Sequence, residues 1–404
     1  MTRLPEQHWM TSAPTRRLFA ALEAVGGPDC ARFVGGCVRN TLMGRAADDV
    51  DVATKLTPDQ TLKALTDANI RAVPTGIEHG TVTAVIDHIP YEVTSLRRDV
   101  ETDGRRAVVA FSTDWAEDAQ RRDFRLNALY ADLQGEVFDP VGGGIEDALE
   151  GRIVFVGDPE TRLREDHLRN LRFFRFFAWY GSGEPDPAGL AACRKLREGL
   201  RSLSAERISK ELIKLLSAPD PVATVRLMAS AAILEQFLPD GLNLDRFAAM
   251  VAITPDPVLR LSALLPDDPT TVGAVADSLR LSNADRDRLL DALPSAPPVH
   301  LDLKPAEARA GIYQLGTSAF EDRVRRAWAE APARSDAAKA LLGLAKAWPK
   351  PRFPLGGADV MALGVPAGPR LGMLLREVET WWIAHDFPAE GARERLVALI
   401  GEAR

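Results

Sequence analysis

The stretch that decides the fold reads Phe33-Val34-Gly35-Gly36-Cys37-Val38-Arg39 and continues to Asp49-Val50-Asp51-Val52. In a strand predicted over 49–53, every second residue shares a face, so Asp49 and Asp51 point one way while Val50 and Val52 enter the core. Two neighbouring carboxylates repel each other unless a divalent cation neutralises them. Mg²⁺ commonly binds through one or two carboxylates plus substrate phosphates. The pattern therefore predicts an Mg²⁺ site, although a solvated edge strand also explains an isolated Asp-x-Asp.

The residues before this strand predict a phosphate-binding turn. A strand over 31–34 leads into Gly35 and Gly36 and then into a helix over 38–42. Glycines let backbone N–H groups converge on a phosphate, and the start of a helix adds a favourable dipole. Arg39 is then placed to pair with phosphate oxygens. A tight turn packed against the sheet explains the glycines equally well, but the order of turn, helix and carboxylates favours nucleotide binding.

Glu92 is a candidate third carboxylate. It lies on a strand predicted over 91–96 and faces away from its apolar neighbours Tyr91 and Val93. A surface glutamate on a half-exposed strand gives the same pattern, so both interpretations stay open.

The order of the elements predicts an α+β protein. Short strands and helices alternate over the first 140 residues, and from residue 160 onward the pattern is almost entirely helical. We expect a head over 1–140, a neck over 141–235, and a helical body and tail over 236–404. Further strands are predicted at 81–86, 107–111 and 153–156, and further helices at 58–68 and 115–133.

Composition narrows the class of protein. Apolar residues make up 46% and charged residues 26% of 404 residues, and there are three cysteines, too few for a disulfide framework. No apolar run approaches the roughly 20 residues of a membrane span, and the N-terminus lacks a signal-peptide pattern. A cytoplasmic protein without a membrane partner is expected. The net charge is −7, yet residues 161–215 carry about +5. This segment is either an RNA-binding surface or an ordinary solvated helical face.

A row of charged residues within this segment predicts base selection. Asp166, Arg169, Arg172 and Arg175 recur every third residue on a predicted helix. Asp only accepts hydrogen bonds and Arg only donates them. Cytosine and adenine present an amino donor beside a ring-nitrogen acceptor, whereas uracil and guanine present the reverse order. The Asp166–Arg169 pair can therefore select C and A, with the other two arginines reaching phosphate or holding the pair. A surface salt bridge is the alternative.

These residues resemble the class II tRNA nucleotidyltransferases, the CCA-adding enzymes, and their relatives the bacterial poly(A) polymerases. The resemblance covers roughly 33–216 and departs at Asn40, where aspartate is frequent, and at Arg125 and Leu126, where Thr and Ile are usual. The six signatures, in order, are GGCVRN (35–40) with DDVDVAT (48–54), EVTSLR (92–97), RRDFRLNAL (121–129), DPVGGGIEDAL (139–149), REDHLRNLRFFRF (164–176) and ERISKELIKLL (206–216).

The resemblance implies a polymerase-beta-like nucleotidyltransferase head with a small mixed sheet, followed by an elongated all-α neck, body and tail. It implies addition of CCA to a tRNA 3′ end from CTP and ATP, with tRNA lying along the neck and body. DNA is not an expected partner, and the oligomeric state stays open. By resemblance Arg122 and Asp123 contact ribose and triphosphate, although Asp123 could instead cap a helix. Alternatives are a poly(A) polymerase, a partial CC- or A-adding enzyme, or a non-catalytic RNA-binding homologue. The implied nucleotide-binding residues are Gly35, Gly36, Arg39, Arg122, Asp123, Asn127, Asp166, Arg169, Arg172 and Arg175.

Overall fold

The computed structural model describes residues 2–47, 49–77, 80–103 and 106–402. The chain divides into two compact units, one ending at Leu238 and the other beginning at Pro239. The predicted head and neck both lie in the first unit, and their boundary at residue 140 stays a prediction.

The first unit is built on a mixed seven-stranded sheet. Its strand order is β3-β4-β5-β2-β1-β8-β9, and a separate hairpin pairs β6 with β7. Strands β2 and β5 are parallel, while the other pairs are antiparallel. The strands are β1 Ala31–Val34, β2 Asp51–Thr54, β3 Arg71–Gly76, β4 Thr81–Ile86, β5 Ile89–Ser95, β6 Arg97–Asp103, β7 Arg106–Phe111, β8 Tyr130–Ala131 and β9 Val137–Phe138.

Helices surround this sheet and continue to the end of the first unit. They are α1 His8–Thr11, α2 Ala13–Gly26, α3 Gly36–Leu42, α4 Pro58–Asp67, α5 Trp115–Gln120, α6 Gly144–Glu150, α7 Pro159–Glu165, α8 Leu168–Tyr180, α9 Pro187–Lys195, α10 Ala205–Leu216 and α11 Val222–Ser230. Packed rings of Phe124, Phe155, Phe173 and Phe176 join the head to α8, with centroids 4.9–6.4 Å apart. This aromatic cluster fixes α8 against the segment that carries Arg122 and Asp123.

Two predicted elements differ from the structure. The helix expected over 115–133 ends at Gln120, and the chain then forms a short 3₁₀ turn and strand β8. Tyr130 and Ala131 are fully buried and pair with β1, so burial in the sheet overrides the helical propensity of this apolar run. The strand expected over 153–156 makes only the single bridge from Phe155 to Phe124.

The second unit is helical in every element that the structure describes. Two of its apolar clusters centre on Phe320 with Ile312 and on Trp382 with Val378. None of the helices described, in either unit, is long and apolar enough to cross a membrane. The helices are α12 Leu244–Ile253, α13 Pro257–Leu264, α14 Pro269–Ser278, α15 Asn283–Asp291, α16 Pro305–Leu315, α17 Thr317–Glu330, α18 Ser335–Ala347, α19 Gly357–Ala362, α20 Pro369–Ala384 and α21 Ala392–Glu402.

Candidate active site

The predicted carboxylates meet in one cleft of the head. Asp51 is the first residue of β2 and stands opposite Glu92 of β5 in the parallel register. Asp49 lies in the exposed loop just before β2, rather than on the strand as expected, and lines the same cleft. Burial, reinforced by the charges of Glu92 and Asp49, raises the pKa of Asp51 to about 6, against a smaller opposing influence of Arg122. The cleft therefore concentrates negative charge.

This donor set fits a hard divalent cation. Carboxylate oxygens are the ligands that Mg²⁺ prefers, and bringing such a cation to Asp49, Asp51 and Glu92 would relieve their mutual repulsion. Within the described residues, no three His, Cys, Asp or Glu side chains are placed so that they could hold a metal ion together. A cation here would therefore complete its shell with other oxygens, such as those of water and phosphate.

The glycine turn packs against the segment over 122–127. Gly35 has φ +70 and ψ −115, a conformation that favours glycine, and it precedes the first residue of α3. A Cβ atom on Gly35 would lie 3.6 Å from Nη1 of Arg122 and 3.8 Å from the carbonyl oxygen of Asn127. The turn is thus a close-packed junction beside the carboxylate strand, and its proposed contact with phosphate remains a prediction.

Arg39 links this turn to the far end of α8. The Arg39 guanidinium is buried and donates hydrogen bonds to Asn127 Oδ1 at 2.5 Å, Asn40 Oδ1 at 2.7 Å and the Tyr180 hydroxyl at 2.8 Å. It also lies 4.0 Å from the centre of the Tyr180 ring. In this structure Arg39 therefore binds protein groups, so that a role in positioning the turn is better supported than direct contact with phosphate.

Arg122 is held by two residues that the sequence did not single out. Its Nη2 lies 2.9 Å from Asp118 Oδ2, and the Tyr130 hydroxyl donates to the same oxygen at 2.7 Å. Although burial acts to raise the pKa of Asp118, the charges of Arg122 and Arg121 lower it, so the carboxylate stays ionised. The spacing of Asp118 four residues before Arg122 was the available signal. No spacing in the sequence pointed to Tyr130, because this residue lies on β8 and meets Arg122 only when the sheet has formed.

Asp123 is the centre of a buried network. Its carboxylate accepts hydrogen bonds from the Phe124 backbone at 2.9 Å, Asn127 Nδ2 at 3.0 Å and Arg172 Nε at 2.8 Å. Burial opposes ionisation, yet Arg172 and the hydrogen bond from Asn127 lower the pKa of Asp123 to about 2. The helix-cap alternative is wrong, because the 3₁₀ turn that follows has Phe124 as its N-cap. Asp123 instead connects the head to α8.

The predicted row of four charged residues does not lie on one helix. Asp166 has extended backbone angles, φ −154 and ψ 106, and separates α7 from α8. Its Oδ1 accepts from the Leu168 backbone at 3.0 Å, and its Oδ2 accepts from Arg207 Nη2 at 2.7 Å. Aspartate readily accepts from nearby backbone N–H groups outside a helix, and this capacity explains the break.

Asp166 and Arg169 are held by different partners. Arg169 donates to Glu165 Oε2 at 2.5 Å and to two backbone carbonyls, those of Arg162 at 3.1 Å and Arg121 at 3.2 Å. Asp166 is held by Arg207, so the described ion pairs are not the surface salt bridge considered from the sequence. The acceptor and the donor are each oriented separately, with Arg169 tied to the backbone next to Arg122.

Arg172 and Arg175 bind carboxylates of the protein. Arg172 pairs with Asp123, and Arg175 Nε donates to Glu211 Oε2 at 2.5 Å. Glu211 is buried on α10 within the last of the six signatures. Its partnership with Arg175 was missed because it depends on how α8 packs against α10. The arrangement supports the option that these arginines hold in position the segment over 166–169 that is predicted to select the base, here called the selecting segment.

Comparison with known proteins identifies the family. The profile described as "Poly A polymerase head domain" matches residues 31–154, and "Probable RNA and SrmB- binding site of polymerase A" matches 184–243. CCA tRNA nucleotidyltransferase 1, mitochondrial, of Homo sapiens is 32% identical, covering 91% of this chain and 86% of its own length. This chain belongs to the CCA tRNA nucleotidyltransferase family. A CCA-adding enzyme of Levilactobacillus brevis is also 32% identical, over 99% of both chains.

Solved structures of CCA-adding enzymes share the fold. That of Bacillus stearothermophilus in complex with CTP has a TM-score of 0.75 and 25% identity, covering 97% of this chain and 98% of its own. The Thermotoga maritima enzyme, complexed with tRNA, has a TM-score of 0.70 at 17% identity and supports the fold alone. The predicted fold class and the predicted enzyme class are confirmed. Nucleotidyltransferases of this family generally use a divalent metal ion.

Proposed function

We propose that this chain adds CCA to the 3′ end of tRNA from CTP and ATP, without a nucleic-acid template, and releases pyrophosphate. The observation that carries the proposal is the separately oriented acceptor and donor at Asp166 and Arg169. They occur in a chain that resembles CCA-adding enzymes over nearly its whole length.

The carboxylate cleft is the proposed centre of the chemistry. The RNA 3′-hydroxyl oxygen forms a bond to the α-phosphorus of the nucleotide, the bond from that phosphorus to the bridging oxygen breaks, and pyrophosphate leaves. Asp49 and Asp51 would hold Mg²⁺, and Glu92, beside Asp51, is the candidate third carboxylate. Bound there, the metal would stabilise charge on the phosphates and favour the ionised hydroxyl.

The segment over 121–127 is proposed to position the triphosphate and ribose. Arg122 is close enough to Asp51 to influence its pKa and is kept in place by Asp118 and Tyr130. Its charge is therefore fixed beside the carboxylates, where a triphosphate would bring negative charge. Asp123 and Asn127 brace this segment against α8, with ribose contact as their proposed further role.

Base selection is assigned to Asp166 and Arg169. A carboxylate accepts up to about four hydrogen bonds and a guanidinium donates five. With described residues Asp166 uses two and Arg169 uses three, so each retains capacity for a base. A U or G in the same place would leave unmatched polar groups, at a cost of about 1–3 kcal/mol for each buried group.

The proposed division of labour places catalysis in residues 1–140, base selection in 141–235 and tRNA binding in the body and tail over 236–404. The cytoplasm is the proposed compartment, since Cys30, Cys37 and Cys193 are buried free thiols, as is common under reducing conditions.

A direct assay separates this function from its alternatives. The protein is incubated with Mg²⁺ and a tRNA that ends at the discriminator base, together with CTP, ATP or both, and product lengths are read at single-nucleotide resolution. Addition of C and C from CTP, followed by a single A when ATP is present, supports the proposal. Open-ended addition of A would replace it with poly(A) synthesis, which the name of the matched head profile makes the second candidate.

A further inference from the structure

The carboxylate cleft has a second flank, and Arg122 is not among the described residues that line it. The residues found to line the cleft all come from the head, and they include Asp49, Asp51 and Glu92. The other wall is formed by His8 and Trp9 of α1, by Ser12, which caps α2, and by Ile89 and Pro90 at the start of β5.

The N-terminal segment that supplies this wall is held in place by hydrogen bonds at both of its ends. Leu4 donates its backbone N–H to the carbonyl of Gly135 at 2.7 Å, in the turn between β8 and β9. At the other end, the Thr15 hydroxyl contacts the Trp9 carbonyl at 2.7 Å and the Tyr91 hydroxyl at 3.0 Å. Tyr91 directly precedes Glu92, so the wall and the carboxylates are held in one frame.

The wall offers flat apolar surface next to charge. The Trp9 indole is half-buried against Phe33, with ring centroids 4.8 Å apart, and its Nε1 has no hydrogen-bond partner among the described residues. Ile89 is 45% exposed at the end of the hairpin. A nucleoside matches this combination, because its base can pack on apolar side chains while its hydroxyl would face the carboxylates that are proposed to hold the metal.

The reaction has two substrates, the incoming nucleotide and the acceptor RNA, and either could pack its base on this flank. Under the proposed function the incoming base is read by Asp166 and Arg169 of the neck, on the side of Arg122. The flank formed by Trp9 and Ile89 is then left for the other reactant. We propose that Trp9 and Ile89 form the binding site for the 3′-terminal nucleotide of the acceptor RNA, which extends the proposed function to a residue-level acceptor site.

The first test compares two exposed isoleucines of the same sheet region. Ile89→Ser should raise the KM for tRNA about 3- to 10-fold and leave the KM for CTP unchanged, since loss of one base-packing contact is worth about 1 kcal/mol. Ile77→Ser is the matched control, because Ile77 is 41% exposed but does not line the cleft. Equal effects of the two substitutions, or a rise in the KM for CTP alone, would overturn the proposal.

The second test removes the Trp9 side chain and, separately, the RNA base that it is proposed to contact. Trp9→Ala should raise the KM for tRNA roughly 10-fold, and Trp9→Phe should restore most of it. Removing the base of the 3′-terminal nucleotide of the tRNA should raise the KM of the wild type for tRNA by a similar factor. The same change should not raise the KM of Trp9→Ala any further. Independent, multiplied losses would show that Trp9 does not contact that base. Failure of the wild type to incorporate CMP would instead refute the proposed function itself.

Discussion

The charged side chains of the carboxylate cleft and those in or beside the selecting segment differ in whether they form ion pairs with other protein groups. Asp49, Asp51 and Glu92 lie close together, and within the described part of the chain none of them forms an ion pair. In contrast, Asp166, Arg169 and Arg172 each have a charged protein partner. Carboxylates that form no ion pair are suited to a ligand that brings a cation, whereas donors and acceptors held by protein partners are suited to discrimination between bases. Chemistry and selection are therefore separable by substitution.

The largest expected effect is at the cleft. Asp51→Ala should reduce the rate of CMP incorporation roughly 10³-fold, because the proposed metal contributes several kcal/mol of transition-state stabilisation. Single-turnover incorporation with saturating Mg²⁺ measures it. The control Asp67→Ala removes an exposed pair with Lys63 and should leave the rate unchanged. Near-normal turnover of Asp51→Ala would show that the metal assignment is wrong.

The second effect concerns selection rather than rate. Arg169→Ala should lower the ratio of kcat/KM for CTP over UTP about 10- to 100-fold, because the mismatch with uracil loses its penalty. Competition between the two nucleotides in one reaction gives this ratio directly. Arg194→Ala, an exposed arginine of α9, provides the control. An unchanged ratio in Arg169→Ala would remove this residue from its proposed role.

A smaller effect is expected on stability. Arg172→Ala leaves the buried Asp123 carboxylate without its ion partner and should lower the free energy of unfolding by about 1–3 kcal/mol, less than for a fully buried pair because the Arg172 side chain is 32% exposed. Urea unfolding followed by circular dichroism measures it. The exposed Arg334–Asp302 pair offers a comparison, and Arg334→Ala should lower the free energy of unfolding clearly less than Arg172→Ala does. Equal costs would mean that the Asp123 network is not structural.

The smallest expected effect is a change in nucleotide selection when Asp166 loses Arg207, the residue that orients it. The Arg207–Asp166 pair is partly exposed, with side chains 26% and 28% accessible, so it contributes about 0.4–1 kcal/mol. Arg207→Ala should therefore lower the CTP-to-UTP ratio about two- to fivefold, and Arg207→Lys should keep most of it. If Arg207→Ala matched the loss in Arg169→Ala, Arg207 would be reading the base directly.

Local patterns predicted the strand that carries Asp51 and the adjacent glycine turn, but not that β2 begins only at Asp51, which leaves Val50 lining the cleft rather than in the core. Alternation around Asp51 and the two glycines depend only on neighbouring residues, and β1 and β4 have the predicted bounds. The break at Asp166 was not predictable from spacing alone, because its side-chain bond to Arg207 spans 41 residues of sequence. The same holds for Glu211 with Arg175 and for Tyr130 with Arg122. The period of an apolar run also fails to separate a buried strand such as β8 from a helix.

The most direct test of the separation between chemistry and selection is nucleotide binding to Asp51→Ala. Equilibrium dissociation constants for CTP and UTP are measured on this variant in the presence of tRNA that ends at the discriminator base. Both constants are expected to rise together, because metal-assisted contact with phosphate is lost, while CTP remains preferred through Asp166 and Arg169. Equal binding of CTP and UTP, with the wild type still selective, would contradict the separation.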